Sequence, residues 1–146
     1  MADPRLVEAL EELVVGAVGM TTVALSECTP AGDLTLPQWR ALLVVARAED
    51  GIRVGAIGAR VGTTLPSASR LVRRLERRGL VVSERDEQDR RGTLVRTTPA
   101  GRELFTRLVE YRRRLIADLL DGMPAPLPAS LVDDLERVGR AFSRYS

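Results

Sequence analysis

The chain has 146 residues, enough for one domain with a sizeable core, and its 22 basic and 20 acidic residues leave a formal net charge of +2. There is no histidine, one cysteine, no phosphate-cradling glycine loop and no metal-ligand cluster, so an enzyme is disfavoured and neither a catalytic residue, a cofactor nor a metal is expected. A lone cysteine cannot form an internal disulfide, which suits a reducing cytoplasm.

Charge distribution says more than its total. All basic residues are arginine, and residues 1–50 hold three against eight acids, a net of −5. Residues 51–100 hold eleven against five, +6, and residues 101–146 eight against seven, +1. Positive charge gathered into the middle third is the footprint of a nucleic-acid reader. The N-terminus leads into an amphipathic helix rather than an apolar signal segment, and no run is expected to reach the length of a membrane span.

Taken in order, residues 5–27 read as a long helix, with Leu6, Leu10, Leu13, Val14, Ala17 and Val18 at helical spacing. Glu8, Glu11 and Glu12 are expected to favour its opening turns through the helix dipole. Apolar residues on more than one side (Val15, Met20, Val23) call for a covering helix. Residues 29–33 form a turn. Thr35 caps a second helix over 36–49, with Trp39, Leu42, Leu43, Val45 and Ala46 apolar. After a break at Asp50–Gly51, residues 52–54 are a candidate short strand and 55–61 a brief helix with Ala56, Ile57 and Val61 as its core face.

The segment 62–101 organises the chain. Gly62 turns it into a helix with Thr64 as N-cap and Pro66 in the first turn, where a missing N–H costs little. Ala68, Leu71, Val72 and Leu75 make a buried stripe, while Pro66, Ser67, Arg70, Arg73, Arg74 and Arg77 lie opposite. Gly79 ends the helix in a left-handed position. Strand-like runs 80–84 and 93–97 then flank a charged loop carrying Arg85, Asp89, Arg90 and Arg91. An arginine-faced helix alone is more often solvated surface; a basic hairpin behind it shifts the balance toward DNA, as a helix-turn-helix with a wing. Thr98 and Pro99 start a long helix to about Asp121, stopped by Gly122 and Pro124. A final helix begins between 128 and 130, where Ser130 and Asp133 resemble a capping box. The first and last two helices carry more apolar surface than one small core hides, which points to a homodimer.

The segments LTLPQWRALL (34–43), PSASRLVRRLERRGLV (66–81) and DRRGTLVRTTPAG (89–101) resemble the MarR (multiple antibiotic resistance regulator) family of bacterial winged-helix transcription factors. Asp89, Arg91, Val95, Thr98, Pro99 and Gly101 fit that family's wing pattern. The resemblance implies a mainly α fold with a small β wing: one domain over 1–146, with 34–99 reading DNA and 1–30 and 100–146 dimerising. It implies a repressor on a palindromic operator, released by a small molecule or oxidant.

Carried over to matching positions, Pro66, Ser67, Ser69 and Arg70 approach base edges, with Thr64 beside them in the DNA-binding set, and Arg70 suits a bidentate contact to guanine. Arg73, Arg74 and Arg77 grip phosphate. Arg91 enters the minor groove, with Asp89 either orienting it or serving a structural ion pair, and Arg90 meets the backbone. Two departures stand out. Ser83 replaces the usual arginine, for which Arg85 can compensate, and Thr97 replaces a leucine at the wing base. Trp39, Arg40 and Tyr111 are candidate walls for a small aromatic or phenolic effector, with simple core the commoner role for Trp39. Cys28 invites a redox-sensing alternative, but it lies beside the acid Glu27 with no arginine close in sequence to favour a thiolate, so an incidental cysteine is favoured. A winged helix used only for protein contacts is the other alternative.

Overall fold

The computed structural model describes residues 1–29, 34–86 and 92–142. It is mainly helical. Its order is α1 (Pro4–Cys28), α2 (Leu36–Ala46), β1 (Ile52–Arg53), α3 (Val54–Val61), α4 (Leu65–Arg77), β2 (Val81–Arg85), β3 (Thr93–Thr97), α5 (Pro99–Asp121) and α6 (Leu131–Phe142). The strands form one antiparallel sheet in the order β1-β3-β2. The expected hairpin pairs Val81 with Thr97 and Arg85 with Thr93, and the short β1 extends it by pairing Ile52 with Val95.

Local capping chemistry sets most boundaries. Thr35, Thr64 and Thr98 each accept a hydrogen bond from the backbone N–H three residues on, satisfying a donor that the first helical turn leaves open. Thr35 also belongs to a full capping box, because the Gln38 side chain accepts from the Thr35 N–H at 3.0 Å. Gly62 closes α3 at φ +75° and Gly79 follows α4 at φ +67°, conformations that cost other residues a steric penalty.

The core lies where α2, α3, α4 and the base of α5 meet the sheet. Leu42, Val45, Ile57, Leu75, Val95 and Leu108 are its largest fully buried side chains. Gly101 is buried there too: a Cβ added to it meets the Leu80 carbonyl oxygen at 1.9 Å, so only glycine fits. The wing therefore joins α5 without a linker, and the same Leu80 oxygen accepts from the Thr98 N–H at 3.1 Å.

Several expectations need correction. Helix α2 stops at Ala46 rather than Glu49, because Ala48 N–H turns back to Val45 O and Gly51 sits at φ +83°. Val54 starts α3 instead of ending β1, and β2 runs one residue later than expected. Ala56 is exposed; Gly58 is buried in its place, its Cα facing Ala68 so closely that an added Cβ meets Ala68 Cβ at 3.2 Å. The α1 acids lie beyond its first turn, which Asp3 caps by accepting from Arg5 N–H. Helix α1 is also long and apolar enough to cross a membrane by length and composition, contrary to the expectation that no run is. Only Thr21, Ala24 and Leu25 of α1 are buried, where it packs on α5. Helix α6 buries no residue, and a bond from Ser130 to its first turn is not among the described contacts. The expected turn at 29–33 lies outside the described residues beyond Thr29.

Candidate nucleic-acid interface

Helix α4 is built from two opposed faces. Ala68, Val72 and Leu75 are buried, and Leu71 is half-buried beside them. This fixes the helix against α2 and α3 and leaves Arg70, Arg73, Arg74 and Arg77 exposed on the far side. Among the described residues none forms an ion pair with Arg73, Arg74 or Arg77. Glu76 shares a shallow groove with them, the one acid on that stretch. Unneutralised guanidinium groups on a rigid, convex helix are suited to phosphate.

The N-terminal turn of α4 is ordered by its own hydroxyls. Thr64 Oγ1 donates to Ser67 Oγ at 3.2 Å, and Ser67 Oγ accepts from Arg70 Nη2 at 2.8 Å. Arg70 is thus held by one N–H toward the helix start, leaving its other donors for an acceptor in front. Ser69, expected near base edges, is half-buried and its hydroxyl donates to Leu65 O at 2.9 Å within its own helix. Pro66 is exposed in the first turn.

The sheet carries the second part of the basic surface. Arg85 is exposed at the end of β2. Arg96 pairs with Glu84 at 3.2 Å and donates to Glu49 O at 3.2 Å, tying β3 to the turn after α2. Ser83 is exposed, and half-buried Thr97 accepts from Arg102 Nη2 at 3.0 Å, so its polar side chain links the wing base to α5. Asp89, Arg90 and Arg91, expected at the wing tip, lie outside the described residues. Sequence reasoning missed Arg53 and Asp86, which form a 2.7 Å ion pair at the wing base. No local pattern links residues 33 positions apart; an arginine where α3 should have had a capping residue was the available hint.

The candidate effector walls have different environments. Trp39 is 2% exposed and stacks on Phe105 with ring centroids 5.8 Å apart, packed in the core, the commoner role expected of it. Tyr111 is half-buried under the Arg114 guanidinium, and half-buried Arg40 donates to Arg60 O at 3.4 Å. Arg112 on α5 is held below the ordinary arginine pKa by burial, then by Arg47 and Arg113, and donates to Thr21 Oγ1 at 3.4 Å. Half-buried Cys28 has its Sγ 3.9 Å from Arg107 O, a carbonyl acceptor.

Known proteins share this fold. A model of the MarR family matches residues 32–92. The HTH-type transcriptional regulator YfiV of Bacillus subtilis (strain 168), itself described as uncharacterized, is 30% identical over 110 residues, covering 75% of this chain and 68% of that protein. The crystal structure of RV1404 from Mycobacterium tuberculosis superposes with a TM-score of 0.80 at 22% identity, over 96% of this chain and 95% of that one. FabT from Streptococcus pneumoniae, solved in complex with DNA, has a TM-score of 0.74 at 18% identity, over 97% and 94% of the two chains. From its helix-turn-helix, its wing and its 30% identical relative, this chain belongs to the MarR family of winged helix-turn-helix transcriptional regulators.

Proposed function

We propose that the chain is a homodimeric repressor that binds a palindromic operator and is released by a small-molecule effector. The observation that carries the DNA reading is α4: one face sealed in the core, the other presenting Arg70, Arg73, Arg74 and Arg77 to solvent. On this reading residues 34–99 engage DNA. Pro66, Ser67 and Arg70 face base edges behind the Thr64 cap, Arg73, Arg74, Arg77 and Arg85 hold phosphate, Arg91 enters the minor groove beside Asp89, and Arg90 meets the backbone. The solved FabT–DNA complex, on the same fold, supports DNA as the partner.

Residues 1–30 and 100–146 supply the dimer. Leu6, Leu13 and Val15 of α1, Leu119 of α5 and Leu135 of α6 are each about half exposed, more apolar surface than a monomer of this size leaves in water. A groove of about 360 Å³ lined by Leu120, Leu127, Leu131 and Leu135 joins α5 to α6. A second copy covering these faces also accounts for the apolar length of α1, so we assign that helix to the dimer, not to a membrane, and place the protein in the cytoplasm with its DNA. Two α4 helices would then meet successive major grooves about 34 Å apart. For release we propose a small aromatic or phenolic acid near Arg40 and Tyr111. The redox alternative through Cys28 gains no support from its carbonyl neighbour.

A salt titration tests the core of this reading. Binding to a random duplex should fall steeply between about 50 and 200 mM salt, as counterions released from phosphate return. Fragments that co-purify from genomic DNA should share an inverted repeat. A protein that binds no duplex at low salt is instead a protein-contact module, and the reading fails.

A further inference from the structure

The start of α3 departs from ordinary capping. Arg53 occupies the N-cap and makes no side-chain cap hydrogen bond, although Ser, Thr, Asp or Asn would satisfy a free N–H there. Its guanidinium instead reaches Asp86, Nη2 to Oδ2 at 2.7 Å. The Asp86 side chain is only 12% exposed, against 50% for Arg53. Asp86 N–H also donates to Gly92 O at 3.0 Å, closing the base of the wing. Gly92 lies against the same guanidinium: a Cβ added to it would meet Arg53 Cζ and Nη2 at 3.1 Å.

Topology makes this contact unusual. Arg53 belongs to β1 and Asp86 follows β2, the two outer strands of the sheet, with β3 between them. The side chain therefore spans the middle strand to reach the point where the chain leaves for the wing tip. The ladder it supplements is short, since β1 and β3 share only the pairs Ile52–Val95 and Arg53–Leu94. An acid beside Arg85 on a DNA-facing edge is also costly for binding, because it repels phosphate. Its pairing with Arg53 gives it a reason to be there.

We propose that the Arg53–Asp86 ion pair is a positioning device that fixes the angle of the wing against the helix-turn-helix, and with it the register of the wing in the minor groove. This rests on the DNA-binding function proposed above. Neither residue needs to touch DNA. The pair acts by holding the base from which the wing projects.

The sign of one substitution separates positioning from simple charge. Asp86→Ala removes a negative charge, so charge alone predicts equal or tighter DNA binding. Positioning predicts weaker binding. Even an exposed ion pair is worth a factor of up to about five, this one is shielded on the Asp86 side, and a dimer carries two wings, so the expected loss is about tenfold.

The probe is a duplex selected by the wild-type protein from a random pool, with hydroxyl-radical footprints recorded beside affinities. Asp86→Ala and Arg53→Ala should both lose protection at the flanks of the site while central major-groove protection persists. The exchanged pair, Arg53→Asp with Asp86→Arg, should restore both affinity and flanks to within about threefold of wild type. Thermal melting of each variant shows that the fold is intact, and the exchanged pair keeps the test decisive if a single variant unfolds. Wild-type binding with undiminished affinity and unchanged flanks in Asp86→Ala overturns the positioning role alone. A wild-type protein that selects no duplex overturns the DNA-binding reading and this one with it.

Discussion

Replacing Gly101 by alanine tests how tightly the wing is joined to α5. The added Cβ would sit 1.9 Å from Leu80 O and 2.9 Å from Leu80 C, both backbone atoms that cannot rotate away. Relief requires moving α5 or the α4–β2 corner by about 1 Å, and such overpacking costs roughly 1–3 kcal/mol. The shift also strains the Thr98 N–H to Leu80 O bond and the Thr98 cap on Gly101 N–H, both 3.1 Å, worth about 1 kcal/mol between them. Alanine recovers up to about 1 kcal/mol through helix propensity. The net expected loss is about 1–3 kcal/mol, or roughly 3–12 °C in melting temperature. Urea denaturation followed by circular dichroism at one fixed protein concentration measures it, with Gly55→Ala as control. An added Cβ at Gly55 meets nothing within 4 Å, so that variant should be neutral or slightly stabilised. A Gly101→Ala protein within about 0.5 kcal/mol of wild type would refute the close approach.

Arg70→Ala should cost about 1–3 kcal/mol in operator binding and relax preference at one base pair per half-site, read by competition with single-base variants. Arg74→Ala should weaken all duplexes evenly and lower the slope of log affinity against log salt by about one phosphate contact. Leu135→Arg places a charge on the exposed apolar stripe of α6 and should yield monomers in sedimentation with loss of operator binding; a dimer of wild-type affinity would move the interface elsewhere. Alkylation of Cys28 should leave DNA affinity within twofold, and a larger loss would revive a redox-sensing role.

What the sequence disclosed is what depends on near neighbours. Caps at Thr35, Thr64 and Thr98 are local chemistry, and each lies where the residues predict. The two faces of α4 follow from thirteen residues of strong periodicity. Helix α3 has only eight, too few to tell that Gly58 rather than Ala56 meets the core. Trp39 reads more readily as core than as a pocket wall, but its stacking partner Phe105 lies 66 positions later and no local pattern names it. The Arg53–Asp86 pair and the pairing of β1 with β3 are likewise long-range. In α1 the acids are confined to the first part of the helix, so an amphipathic opening is followed by an apolar run long enough to reach membrane-span length.

The junction of Gly101 with Leu80 has a mechanical meaning. With 23 residues, α5 is a rod about 34 Å long, bolted at its near end to the corner that carries the wing and recognition helix. Tilting such a rod by 10° about its far end swings that corner through roughly 6 Å, half the width of a major groove. On the proposed reading, an effector that leaned the rod by a few degrees would shift the arginines by about 2 Å at that corner, with no segment needing to unfold.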